Sequence, residues 1–193
     1  MTQILNVIAR PFIGSGISKR MPFVKYVFFR LYQKTGGSKS EFIIPLGLRL
    51  LVPPDDLGPG MFLSLKGEYE PFMTFLFLKA IKEGDTVYDV GAHVGYYSLL
   101  AAKKVGSNGS VISFEPHPDN FSYLKKNIVA NKLSPQITLI EKAVSQKIGK
   151  IRLNLGKTSG EHTTLGEAKK YIEVLATTLD EISVKHRRFP DTI

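Results

Sequence analysis

Residues 87–98 read V-Y-D-V-G-A-H-V-G-Y-Y-S: an apolar run closing on an acid, then a turn with two glycines, then a helix start. A strand that feeds a tight turn into a helix belongs to an open parallel α/β sheet, where ligands bind outside the carboxyl ends of the strands. Asp89, Gly91 and Gly95 would converge there, and Glu115 stands at the tip of the next apolar strand, residues 110–115. The glycines permit the turn and a close approach of backbone to ligand. Taken alone they would serve equally in a connection that only packs. An acid at the end of a second strand turns the reading toward a nucleoside-cofactor pocket.

Which cofactor follows from what the turn lacks. A dinucleotide fingerprint needs G-x-G-x-x-G, with a middle glycine that lets a pyrophosphate sit on the helix N-terminus. Here Ala92, His93 and Val94 separate Gly91 from Gly95, and Asp89 places a carboxylate ahead of the turn. Two anions at that distance repel. A carboxylate suits instead a cofactor carrying an ammonium and a sulfonium, which is S-adenosylmethionine, with Glu115 accepting from the ribose hydroxyls. No G-x-x-x-x-G-K-[ST] phosphate loop occurs. A dehydrogenase is the weakest reading.

Strand and helix signals alternate around this motif. Residues 41–53 have strand character with a hairpin turn at Leu46-Gly47 and a stop at Pro53-Pro54, a small β-cap ahead of the core. Residues 55–60 read as loop and 68–82 as a helix; strand 86–90 leads to helix 96–105, capped by Gly106. Strand 110–115 leads to helix 116–131, with Phe121, Leu124, Ile128 and Val129 on one face, and residues 137–144 read as a third strand. The alternation predicts a doubly wound sheet with right-handed crossovers. Residues 150–155 and 171–176 alternate with period two and read as antiparallel additions, joined by a Gly/Ser/Thr-rich loop, 156–166, near the cofactor. Thr178 is a good N-cap for a further helix.

Composition narrows the chemistry. The 193 residues suffice for one core, and the absence of cysteine excludes disulfides, thiolate metal sites and thiol catalysis. The four histidines, His93, His117, His162 and His186, lie far apart without metal-ligand spacing and read as surface or turn residues, so no metal is expected. The net charge of +9 is concentrated in residues 1–40, which hold seven cations and no acid. This basic N-terminal helical arm is set apart from a nearly neutral domain, 41–193. Its aromatic and cationic residues alternate over 22–34, a pattern that would suit peripheral contact with an anionic membrane, or nucleic acid. The preferred reading is a leading helix packed on the sheet edge, with no nucleic-acid partner. No apolar run is long enough to span a bilayer and no signal-peptide h-region is seen, so the expected location is cytoplasmic.

The segments G-E-Y-E-P (67–71), D-V-G-A-H-V-G-Y-Y-S (89–98), F-E-P-H-P-D-N (114–120), N-I-V-A-N (127–131) and A-V-S (143–145) together resemble the FkbM-type S-adenosylmethionine-dependent methyltransferases. The family usually has Asn where this chain has His93. The resemblance implies a Rossmann-like class I methyltransferase fold and O-methylation of a hydroxyl on a small-molecule acceptor: a sugar, glycan or polyketide. It implies that Asp89 orients the methionine end and that the backbone of Gly91, Ala92, His93 and Gly95 meets the carboxylate. Asn120 and Ala143 would lie by the adenine or ribose. Glu70 is a candidate lid contact to the amino-acid end; a solvated helix-cap acid is its other reading. No general base stands out, His117 and His162 being weak candidates.

A class I sheet usually has seven strands, and the resemblance leads to the expectation of a sheet truncated after its third parallel strand. The free edge of the first strand would be unpaired, and the acceptor wall and methyl transfer would be missing. A catalytically incomplete cofactor-binding or membrane-peripheral module is therefore the competing function.

Overall fold

A computed structural model describes residues 40–54, 56, 58–156, 162–166 and 169–193. The basic arm up to residue 39, with its proposed membrane contact, and part of the 156–166 loop lie outside the described residues. Among the described residues no helix is long and apolar enough to cross a membrane.

The chain opens with an antiparallel hairpin, β1 (Glu41–Ile44) and β2 (Leu48–Leu51), joined by the turn Pro45–Gly47. Two helices follow, α1 (Pro59–Lys66) and α2 (Pro71–Ala80). The central sheet is β3 (Thr86–Val90), β4 (Ser110–Phe114) and β5 (Ile137–Ile140), all parallel, in the order β3-β4-β5. Helix α3 (Tyr96–Val105) connects β3 to β4, and α4 (Pro118–Ala130) connects β4 to β5. A second sheet holds β6 (Ala143–Val144), β8 (Tyr171–Thr177) and β7 (Gly149–Asn154), with β8 parallel to β6 and antiparallel to β7. Helix α5 (Leu179–His186) follows, N-capped as expected by Thr178, whose hydroxyl accepts the Glu181 N–H at 3.1 Å.

Both faces of the parallel sheet are covered, so its strands carry apolar residues at successive positions. Val87, Val111 and Ile137 face one core with α3, α4 and the hairpin; Tyr88, Ile112 and Phe114 face another with Ile182 of α5. Tyr88 is buried with its hydroxyl satisfied, donating to the Arg188 carbonyl at 2.7 Å and lying 3.1 Å from Ser183 Oγ. This is an α/β, doubly wound, Rossmann-like architecture.

The hairpin is fastened to α4 by two asparagines one turn apart. Asn127 Oδ1 accepts from the Leu51 N–H at 2.6 Å, and its amide donates to the carbonyls of Leu51 (2.8 Å) and Val94 (2.7 Å). Asn131 repeats the pattern on Arg49, accepting its N–H at 2.8 Å and donating to its carbonyl at 2.7 Å. Four helical residues rise about 6 Å and two strand residues about 6.6 Å, so the spacings match. This accounts physically for the N-I-V-A-N segment.

Several expectations are corrected. Residues 59–66 are helical, between Pro59 and a left-handed Gly67, and the following helix starts at Pro71 rather than residue 68. The third strand splits: the β4 ladder ends where Glu115 N–H meets the Ile140 carbonyl, because the next N–H on that edge, His117's, is given to Glu115 Oε1, and Ala143–Val144 pairs with β8 instead. Val129 is exposed, away from the face that buries Leu124 and Ile128. The outer edge of β3 is not bare. Asp191–Ile193 runs parallel beside it, with Tyr88 N–H donating to the Thr192 carbonyl (2.9 Å) and Thr86 N–H to Asp191 Oδ2 (2.8 Å).

Candidate functional site

At the carboxyl ends of β3, β4 and the β5–β6 segment lies a crevice of about 250 Å³. Of the residues singled out in the sequence, Gly91, His93, Glu115, Asn120 and Ala143 line it together. Lys142 and His162 to Thr164 line it as well.

Glu115 organises this end of the sheet. Its side chain is 5 % exposed; Oε2 accepts the His93 N–H and Oε1 the His117 N–H, each at 2.8 Å, and the Asn120 side chain hydrogen-bonds it as well. Burial raises its pKa, against these donors and with a small push from Asp89. A carboxylate has about four acceptor positions. Acceptor capacity therefore remains on it beyond the two backbone bonds.

The turn is built on left-handed backbone. Gly91 has φ +81° and a Cβ there would meet open space, whereas Gly95 has φ +93° and a Cβ would stand 2.6 Å from Leu124 Cδ1. Gly91 therefore shapes the crevice wall and Gly95 admits α4. His93 has φ 53°, a region enriched in Asn and His among non-glycine residues, so the exchange from the family's usual Asn is accommodated. The turn amides are committed inward: Gly91 and Ala92 both donate to the Phe114 carbonyl at 2.9 Å, and Gly95 to Ala92 at 2.8 Å. Ala92 is buried beneath the turn.

Asp89 and Glu70 stand apart from the crevice lining. Asp89 Oδ2 accepts from Ser98 Oγ at 2.5 Å, Ser98 Oγ lies 2.8 Å from Ser113 Oγ, and burial raises the Asp89 pKa against the Ser98 hydrogen bonds. Glu70 sits at the start of α2 in left-handed backbone (φ 44°) and accepts the Tyr97 hydroxyl at 2.7 Å.

Three of the four histidines, expected to be scattered, converge. The His117 and His162 rings lie 4.4 Å apart, and His93 is close enough to His117 to feel its charge. His93 Nε2 is 3.8 Å from Oδ1 of Asp56, a buried acid not anticipated from the sequence, whose Oδ2 accepts the Gly60 N–H at 2.6 Å. Burial lowers the His93 pKa; Asp56 opposes this and His117 reinforces it. Among the described residues no cluster has the make-up of a metal site.

Residues 89–193 match the methyltransferase FkbM domain. The chain is 28% identical over 120 residues to the 31-O-demethyl-FK506 methyltransferase FkbM of Streptomyces tacrolimicus, a match covering 58% of this chain and 45% of that protein. The chain thus spans less than half the length of that relative. Among solved structures it is similar to a putative rRNA-methylase of Clostridium thermocellum (27% identity, 38% of this chain and 41% of that one, TM-score 0.37). It is also similar to a SAM-dependent O-methyltransferase of Thermotoga maritima (22% identity, 42% and 33%, TM-score 0.37). With the matched region running from the strand-end acid through the crevice to the last residue, the chain belongs to the FkbM family of S-adenosylmethionine-dependent methyltransferases.

Proposed function

We propose that this chain binds S-adenosylmethionine in the crevice and serves methyl transfer to a hydroxyl group on a small-molecule acceptor: a sugar, a glycan or a polyketide-like compound. The observation that carries the reading is the placement of Glu115, buried at the tip of β4 and bonded to both the β3–α3 turn and the start of α4. The residues present fit a nucleoside. Glu115 keeps an acceptor position for a ribose hydroxyl, Gly91 leaves open space at the wall, and Ala143 is small enough to admit a flat base. The choice of a hydroxyl acceptor draws on the relative, whose name specifies a 31-O-demethyl substrate.

When bound, the cofactor supplies a methyl group on a sulfonium, and the transfer loses charge as it proceeds. The protein's contribution to such a displacement is alignment and exclusion of water. Glu115 and Asn120 hold the nucleoside in this reading, and Ala143 backs it. Asp89 orients the methionine end through its electrostatic field or an intervening water, since its Oδ2 already bonds Ser98. Glu70, held by the Tyr97 hydroxyl, is in this reading a lid contact to the amino-acid end.

Calorimetric titration with S-adenosylmethionine, S-adenosylhomocysteine and NAD tests the reading. Binding of the first two is expected; heat from NAD alone would overturn it. Transfer of labelled methyl to a panel of hydroxyl compounds tests the acceptor class, and labelling only of amines or nucleic acid would overturn that part.

A further inference from the structure

One wall of the crevice comes from outside the central sheet. His162, Thr163 and Thr164, in the connection between β7 and β8, line it together with Leu153 of β7. We infer that this segment is the base-side wall of the nucleoside site and that Asn154 is its positioning residue. The inference rests on the crevice being the cofactor site.

Strand order assigns the wall its end of the ligand. The parallel sheet runs β3-β4-β5, so Glu115 at the tip of β4 stands in the middle, with the Gly91 turn on one side and the β5–β6 link on the other. Strand β6 pairs with β8, and β8 with β7, so the 162–164 segment adjoins the second side. A ribose held by Glu115, with its methionine end toward Asp89, turns its base toward this wall.

Asn154 sets the segment in place. It is the last residue of β7 and is buried although polar. Its N–H donates to the Thr163 carbonyl at 2.8 Å, and its carbonyl accepts the Thr163 N–H at 3.1 Å. Its side-chain amide donates to the carbonyls of Leu165 (3.1 Å) and Gly166 (2.9 Å). An amide nitrogen carries two hydrogens and both are committed, so one residue fixes the path from Thr163 to Gly166. Thr163 Oγ1 accepts the Leu165 N–H at 3.1 Å and closes the turn from within.

The leading end of the segment rests on the start of α4. The His162 ring lies 4.4 Å from the His117 ring with their planes 34° apart, and His162 Nδ1 accepts the Gly156 N–H at 3.2 Å. This ring pair joins the second sheet to α4 beside the crevice. His117 Nδ1 is buried there and, among the described residues, has no hydrogen-bond partner. Folded proteins rarely leave such an atom unpaired, and a base with donors and acceptors along its edge supplies what it lacks. A ring face with a few polar groups around it is also how small-ligand sites fix a flat heterocycle.

Calorimetry on the full chain tests the inference with two probes, S-adenosylhomocysteine and methylthioadenosine, the second keeping base and ribose but lacking the amino-acid end. His162→Ala should weaken both about fivefold, the loss of one aromatic contact, and His162→Phe, which keeps a ring against His117, should stay within about twofold of the native chain. Asn154→Asp preserves the size of the side chain, removes both donors and should weaken both probes at least as much as His162→Ala. Arg152→Ala, on the same strand with its guanidinium over the Tyr171 ring, should weaken neither. In imidazole proton NMR, S-adenosylhomocysteine should shift the His117 and His162 signals and leave His186 in place. Native binding with unchanged affinity in both His162→Ala and Asn154→Asp would overturn the inference alone. A loss seen with S-adenosylhomocysteine but not with methylthioadenosine would overturn the base-side placement. Failure of the native chain to bind either probe would overturn the crevice reading and the inference with it.

Discussion

The carboxylate of Glu115 accepts the backbone N–H of His93 at 2.8 Å, so a side chain from the end of β4 holds the turn at the end of β3. Its other oxygen does the same for His117 at the start of α4. Replacing Glu115 by Ala strips acceptors from two backbone donors and from any ribose hydroxyl. The expected result is cofactor binding weakened by about 1.5–3 kcal/mol, accompanied by a lower urea midpoint. Calorimetry with S-adenosylhomocysteine and urea unfolding measure the two losses. Glu173→Ala, on the exposed side of β8, should show neither.

Gly91 and Gly95 share a backbone conformation and differ in surroundings. Gly91→Ala incurs only the left-handed penalty, about 1–2 kcal/mol, with its methyl in open space beside the crevice. Gly95→Ala adds a clash with Leu124 and should cost about 2–4 kcal/mol in all. Denaturant unfolding of both variants ranks them, and equal losses would contradict the packing at Leu124.

Acid should act on the fold through His93. Burial lowers its folded pKa, so its contribution to stability is present above the unfolded value of 6.5 and is lost as pH falls toward the folded one. Asp89 and Glu115, both raised by burial, run the other way: their contribution is present below their unfolded values and lost as pH rises through the folded ones. His93→Asn keeps a residue that tolerates left-handed backbone and removes the imidazole. Between about pH 7.5 and pH 5.5, below the unfolded histidine value, the native chain should lose more stability than the variant in paired urea titrations. A variant that loses as much would place the acid sensitivity elsewhere.

Asn127 is fully buried and joins three elements through one amide. Asn127→Leu leaves the Leu51 N–H and carbonyl and the Val94 carbonyl unpaired, for a loss of about 2–5 kcal/mol. The exposed pair made by Asn131 should be worth much less, on the order of 1 kcal/mol. Hydrogen exchange at the Leu51 and Arg49 amides reads the two bonds separately.

The central strands and α3 were legible because their signals are local. Thr86–Val90 and Tyr96–Val105 have the observed bounds, as an apolar run and two obligatory glycines leave little choice. Helix α1 was missed because P-G-M-F-L-S-L-K has no polar stripe, although Pro59 at its start and Gly67 after it were caps that could have found it. The meeting of His93, His117 and His162 was invisible: it depends on β4 and the β7–β8 loop ending beside β3, which spacing along the chain does not encode. Asp56 was hidden for the same reason, since nothing around Pro53-Pro54 announces a partner near residue 93. Glu115 was placed correctly at a strand tip, but its backbone partners belong to tertiary structure.

The two asparagines on α4 also act as a ruler for the hairpin. Arg49 and Leu51 turn their backbone groups outward to Asn131 and Asn127, while Leu50 between them turns inward to its partner Phe42. Were β2 to slide by one residue, the amides would confront groups already facing β1, and Leu48 and Leu50 would leave the core for solvent. Alignment of the first two strands is thus dictated by a helix some eighty residues downstream. The connecting Pro45–Gly47 turn, with Leu46 at φ 65°, is relieved of that duty and open to redesign.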